Sequence, residues 1–279
     1  MDSWMINLLL FSDKRRDFLL LLKDGPKNID VIVDELKVPR NSLLPQIKKL
    51  KEKGLIVRDG DDCRLTILGN IIVRKLQPLV DAALVLDIDE YFWVSRKLDT
   101  LPSCFLGRVG ELKGCCLVEP EPEHVFDLIP EIVSAFREPS RAMMLFSYFH
   151  PLLPSFFLNV AKKGIEFPLI LNRGVFERFL TDFRDEGEEI LKHENVNVFV
   201  LEDNALEVPS VVAISESTLI LGLLNKWERA DRQYVVSCKP CAVKWGEELF
   251  SFYKERARKV TSLEEPGLCD PIPPESAQK

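Results

Sequence analysis

A chain of 279 residues, 46% hydrophobic and 29% charged, has a globular composition and length enough for two domains. Its longest apolar run, "SWMINLLLF", is far short of the roughly 20 residues that span a bilayer, and it lacks the basic start of a secretory signal, so a cytoplasmic protein with no membrane partner is expected. The net charge of −7 is uneven: residues 1–75 carry fifteen Lys and Arg against eleven Asp and Glu, a net of +4, and the remainder is −11, which points to a first domain facing an anionic partner.

Ser12 opens an apolar-periodic segment, "DKRRDFLLLLKDG", in which Phe18, Leu19 and Leu22 share a face and Gly25-Pro26 stops the helix. Asn28 caps a second helix, "IDVIVDELK", which ends before Pro39. Asn41 or Ser42 opens a third, "SLLPQIKKLKEKG", with Pro45 tolerated in its first turn and Gly54 at its end. "LIVRDGDDCRLTILG" then alternates around Asp59-Gly60-Asp61 and reads as a hairpin. A long helix follows Gly69, kinked or interrupted at Pro78.

Three helices, a two-stranded wing and a following helix form the order of a winged helix-turn-helix, whose third helix enters the major groove of double-stranded DNA. Arg40, Asn41, Ser42, Gln46, Lys48 and Lys49 lie on or beside that helix. Asn41 and Gln46 have the amide groups that read base edges, and Arg58 and Arg64 on the wing suit phosphate or the minor groove. Lys51 and Lys53 read as solvated surface. The helices over 70–100 place Ile71, Val73, Leu76, Leu79, Ala83 and Leu86 on an apolar side larger than a small winged domain covers, which suggests a homodimer, with burial against the chain's own second domain as the alternative.

From residue 120, helical patterns alternate with short apolar strands: "AMMLFSYF", "EFPLILN", "VNVFVLED", "SVVAISES" and "TLILGLL". That alternation predicts a mixed, mostly parallel sheet covered on both faces, with a hairpin at Ser215-Glu216-Ser217. The expected fold is α+β to α/β: a winged helix-turn-helix over 1–75, a helical linker or dimerisation region over 76–119, an α/β sensor domain over 120–260, and a disordered Pro-rich tail over 261–279.

Two stretches carry a resemblance. "NSLLPQIKKLKEKGLIVRDGDDCRLTILG" resembles the ArsR-type winged-helix regulators of archaea through Leu50, Gly54, Leu55, Leu65, Thr66 and Gly69. Many such regulators sense metals through cysteines in the helices; Cys63, in the wing, is the one cysteine of this stretch. "DRQYVVSCKPCAVKWGEELFSFY" resembles the middle domain of archaeal methanogenesis-regulatory proteins through Asp231, Ser237, Ala242, Trp245, Gly246, Glu247, Leu249, Phe250 and Tyr253. The resemblance covers about residues 12–258. It implies a transcriptional regulator whose sheet domain is distantly similar to phospholipase D enzymes.

Phospholipase chemistry needs two His-x-Lys motifs, one imidazole attacking phosphorus and the other protonating the leaving group. Phe126, Leu152 and Asn195 stand two residues after His124, His150 and His193, so no enzyme is expected, nor any cofactor or metal. A small-molecule effector is expected instead, beyond the carboxyl ends of the strands, at Tyr148, His150, Asn172, Arg173, Glu202 and Asp203. Seven cysteines, an odd number in a large chain, read as reduced thiols. Cys238 and Cys241 have dithiol spacing at a helix start and are candidates for a redox switch; a zinc site would need further ligands such as Cys115 and Cys116. The competing readings are a redox enzyme using that pair, and an interaction module whose winged helix binds protein.

Overall fold

The computed structural model describes residues 4–124, 126–202 and 207–261. The proposed tail beyond Thr261, and Asp203, lie outside the described residues. The chain divides into two compact units, Met1–Val80 and Asp81–Lys279.

The first unit runs α1 (Trp4–Leu10), α2 (Asp13–Leu21), β1 (Lys27–Asn28), α3 (Ile29–Leu36), α4 (Arg40–Glu52), β2 (Ile56–Asp59), β3 (Asp62–Leu65) and the start of α5 (Ile67–Leu86). Its core follows helical spacing. Phe18 and Leu19 of α2, Ile29 and Ile32 of α3, and Leu43, Ile47 and Leu50 of α4 are buried together with Leu55, Cys63 and Val73. Asn28 caps α3, its side chain accepting from the Asp30 amide at 3.0 Å. Gly54 takes φ +67° just past α4, a left-handed stop that lets the Leu55 amide reach the Leu50 carbonyl at 3.0 Å. β2 and β3 pair antiparallel around Gly60, and β1 adds to β3.

Thr66 and Gly69 lock this hairpin to α5. The Thr66 hydroxyl donates to the Gly54 carbonyl at 2.6 Å and accepts from the Gly69 amide at 3.0 Å. A Cβ on Gly69 would lie 2.0 Å from the Leu55 carbonyl oxygen, so only glycine allows the approach.

One local expectation fails here, and of the kink or interruption expected at Pro78 the interruption is excluded. α4 starts at Arg40, with Pro39 at its N-cap, so Asn41 and Ser42 lie inside its first turn and Pro45 stands one turn in. Pro45 therefore has no N–H to give the Asn41 carbonyl. α5 also continues through Pro78 without interruption.

The second unit continues with α6 (Glu90–Ser95), α7 (Ser103–Leu106), β4 (Cys116–Val118), α8 (Pro130–Ala135), β5 (Ala142–Phe146), α9 (Leu153–Lys162), β6 (Phe167–Asn172), α10 (Arg173–Thr181), α11 (Arg184–Lys192), β7 (Val196–Leu201), β8 (Val211–Ser215), β9 (Leu219–Gly222), β10 (Tyr234–Ser237), α12 (Pro240–Lys254) and β11 (Arg258–Val260). The strands form one mixed sheet, ordered β11-β7-β6-β5-β8-β9-β10-β4.

The sheet is not mostly parallel. Only β5-β6 and β6-β7 run parallel, because among hydrogen-bonded neighbours only those strands are joined through helices; the other five pairs are antiparallel. The strand alternation sorts side chains between two cores. Met144, Phe146, Leu169, Leu171 and Ala213 face one side with Phe157 of α9 and Phe176 of α10. Leu145, Ile170, Val212 and Leu221 face the other with Trp245 and Phe250 of α12.

The segment expected to link the domains is built into that second core. Val85, Phe92, Trp93, Leu101, Phe105 and Leu112 are buried with α12, whereas Leu79, Leu84, Leu86, Tyr91 and Val94 of the same segment stay exposed. Trp245 donates to the Phe105 carbonyl at 3.3 Å, and Tyr253 donates to the Thr100 carbonyl. Asp231 pairs with the buried Arg96, which also bonds Gln233. Apart from Glu247, which pairs with Arg141, the motif residues of the last helix are thus packing residues. Among the described residues no helix is long and apolar enough to cross a membrane.

Candidate nucleic-acid interface

The outward face of α4 is set by its inward one. Leu43, Ile47 and Leu50 face the core, which turns Asn41, Pro45, Lys48 and Lys49 to solvent. Lys48 lies 3.9 Å from Glu52, an exposed pair one turn apart. Arg64 stands on the exposed side of β3.

The other expected contacts are engaged. Asp61, at the tip of the hairpin, accepts from Arg40 at 2.9 Å and from Arg58 at 2.9 Å. Arg40 also pairs with Asp30 of α3, and Arg58 donates to the Gly60 carbonyl at 2.7 Å. The Arg40 guanidinium, then Arg58, holds the Asp61 carboxyl below the usual carboxylate range. The hairpin tip is therefore an acidic clamp on two of the proposed DNA contacts. Ser42 donates to the Pro39 carbonyl at 2.8 Å. Gln46 is half-buried, and its carbonyl accepts from Arg15 of α2 at 2.9 Å, which blocks the two-bond reading of adenine while that bond holds.

Sequence reasoning missed Arg15, Asp30 and Asp61 as partners. Asp30 and Arg40 are ten residues apart, and no local pattern couples them. The acidic run around Gly60 was the available signal, since acids at a wing tip oppose phosphate.

In the second unit, the proposed effector residues share one sheet edge but hold structural posts. Tyr148 and the buried Tyr234 join hydroxyls at 2.7 Å, and burial pushes both phenols up. His150 is buried and accepts from the Leu152 amide at 3.2 Å; burial, helped by Arg232, lowers its pKa. Asn172 caps α10 through the Val175 amide at 2.9 Å and donates to the Ser147 carbonyl at 2.9 Å. Arg173 pairs with Glu177 at 2.8 Å, and Glu202 with Arg258 at 2.6 Å.

Cys238 and Cys241 flank the start of α12 as free thiols, Cys238 exposed and 3.7 Å from the Thr218 hydroxyl. Cys63 is buried in the first core, which raises its thiol pKa. Among the described residues no group of three or more His, Cys, Asp or Glu is placed to hold a metal.

Comparison with known proteins finds two domain matches: "Methanogenesis regulatory protein FilR1, N-terminal domain" over residues 5–84 and "Methanogenesis regulatory protein FilR1, middle domain" over residues 125–256. Methanogenesis regulatory protein FilR1 of Methanothrix harundinacea (strain 6Ac) is 24% identical over 266 residues, 91% of this chain, which spans 58% of that relative's length. Among solved structures, TrmBL2, described as an archaeal chromatin protein with a novel mode of DNA binding, is 14% identical at a TM-score of 0.39, covering 93% of this chain and all of the other. An S-adenosylmethionine-dependent methyltransferase, SibL, reaches a TM-score of 0.22 at 14% identity, over 72% of this chain and 65% of its own. Scores that low carry no argument about either protein's function.

Proposed function

We propose that this chain, a member of the methanogenesis regulatory protein FilR1 family by its N-terminal and middle domains, is a sequence-specific DNA-binding transcriptional regulator and not an enzyme. Its first unit reads as a winged helix-turn-helix, with α4 entering the major groove of double-stranded DNA. The observation that carries this reading is the solvent face of α4. Asn41, Lys48 and Lys49 are exposed opposite an apolar seam, in the part of the chain that is net positive. In this reading Asn41 reads bases, and Lys48, Lys49 and Arg64 hold phosphate.

The protein acts as a homodimer in this reading, because paired half-sites need paired recognition helices. The second unit is the sensing part. A small effector acts at the sheet edge of Tyr148, His150, Asn172 and Arg173, or a thiol change acts at Cys238 and Cys241. Either alters the spacing of two recognition helices and hence operator affinity.

The test is selection of sheared genomic DNA on the purified protein, with Lys48→Glu/Lys49→Glu in parallel. Recurrent enrichment of a few promoter sites, lost in the double variant, is the expected result. Equal recovery by both proteins would show that α4 does not dock as described.

A further inference from the structure

Within the second unit, a solvent-open groove of about 530 Å³ lies beside α6. Its walls are Leu86, Trp93, Val94 and Leu98, and its charged residues include Glu90 and Lys226. Next to Lys226, Trp227 displays its ring to solvent, 70% exposed, and does not line the groove. Tyr91 and Val94 of α6 are also exposed, at 75% and 61%. Large apolar side chains so gathered mark a contact surface.

The tryptophan is presented on a fixed turn. The buried Asn225 accepts from the amides of Trp227 and Arg229, each at 3.0 Å, through its side-chain oxygen. The Lys226 amide donates to Ser95 at 2.9 Å, and the Lys97 amide to Leu224 at 2.9 Å, which staples the turn to the end of α6. Glu228 takes φ +60°, a left-handed conformation unusual for a residue with a Cβ, and its carboxylate is held by Lys97 at 2.7 Å. The turn that carries Trp227 is already ordered, so binding there costs no further backbone freedom, which suits the exposed ring as an anchor.

We infer that this face is a two-fold self-interface, in which the Trp227 of each copy enters the apolar groove of the other while Glu90 of one copy pairs with Lys226 of its mate. The inference rests on the homodimer reading above and gives it a place. An isologous contact must be complementary to itself: one patch has to carry knob and hole, acid and base. This one does. Trp227 is the knob, the Leu86–Trp93–Val94–Leu98 groove is the hole, and Glu90 and Lys226 are charges of opposite sign beside it. Among the described residues neither charge has a side-chain partner within its own chain. A different partner protein would need only one member of each pair.

The test is sedimentation velocity of the full chain over a concentration series. Wild type is expected to be a dimer. Trp227→Ala should weaken association by at least about thirtyfold, the loss typical of a central aromatic anchor. Its exposure means the fold survives, which circular dichroism checks. Glu90→Lys and Lys226→Glu should each weaken the dimer, and the double variant Glu90→Lys/Lys226→Glu should recover it, because the pair is re-formed with its signs exchanged. A dimer indifferent to Trp227→Ala would place the interface elsewhere and overturn the inference while leaving the homodimer reading intact. Charge reversals that do not rescue one another would overturn the proposed pairing. A wild-type monomer at every concentration would overturn both, and leave the groove to a small apolar ligand or another protein.

Discussion

The two units put their polar chemistry in opposite places. The first keeps a small apolar core and sets its cations on the surface, where Lys48, Lys49 and Arg64 are exposed and Arg40 and Arg58 are half-covered by acids. The second buries a sheet on both faces and draws Arg96, His150 and the Tyr148–Tyr234 pair inside or nearly so. A surface charge is free to meet a partner; a buried polar group is committed to its neighbours. Functional residues are therefore easier to locate in the first unit, whereas in the second the same residue types serve as caps and ties.

The comparison breaks first at α4. Lys48→Glu/Lys49→Glu should abolish DNA binding with an unchanged circular dichroism spectrum, and milder Lys→Ala changes should lower the salt slope of binding by about one for each lysine. Asn172→Ala, at a proposed effector residue of the second unit, should leave effector-free DNA affinity alone and cost about 1 kcal/mol as a lost helix cap. If Asn172→Ala weakens DNA binding as much as the lysine changes do, the division between the units is wrong.

Glycine substitutions sharpen the contrast in packing. A Cβ at Gly69 meets the Leu55 backbone carbonyl at 2.0 Å, whereas one at Gly246 meets the end of the Leu219 side chain at 2.5 Å. Backbone cannot give way as a methyl can. Gly69→Ala should cost about 3 kcal/mol or more, and Gly246→Ala about 1–3 kcal/mol, in denaturant melts. The reverse order would mean that the hairpin moves more freely than the sheet core.

Phenol ionisation probes the second unit alone, since Tyr91, Tyr148, Tyr234 and Tyr253 all lie in it; the buried Cys63 thiol of the first unit gives no phenolate signal. Burial raises the phenols of Tyr148, Tyr234 and Tyr253. Above about pH 10 the unfolded chain loses phenolic protons that the folded chain keeps, so stability falls as pH rises, by about 1.4 kcal/mol per pH unit for each phenol. In Tyr91→Phe protein, phenolate absorbance should appear together with loss of near-ultraviolet circular dichroism. Phenolate appearing while the fold persists would show that these rings are accessible.

Much of this contrast was legible in the chain, and the limits follow from physics. The first unit announces itself through Asn28, Gly54, Thr66 and Gly69, each of which does a local job that needs that residue type. In the second unit the apolar runs of β5 to β9 were readable, but β4 and β11, three residues each, are too short to show a period. β10 lies in a stretch read as the start of the family motif and not as a strand. Strand direction was misjudged because a short loop and a crossover helix both separate apolar runs. The described effector candidates stand at or just past the ends of β5, β6 and β7, yet their partners come from distant positions such as Tyr234 and Arg258.

The smallest effect tests the clamp at the boundary between free and committed charge. Asp61 holds Arg40 and Arg58, and Asp30 holds Arg40 as well. Phosphate must compete with these carboxylates before either arginine contributes to binding. Asp61→Asn removes a negative charge from the hairpin tip and leaves both arginines positive, so DNA affinity should rise. The exposed pairs are weak, which limits the gain to about fivefold. The salt slope should steepen at the same time, because more phosphates are neutralised. Asp30→Asn, which frees Arg40 alone, should give the smaller gain. A loss of affinity in Asp61→Asn would mean that the clamp instead holds the arginines in their DNA-bound positions, making the acids part of the interface.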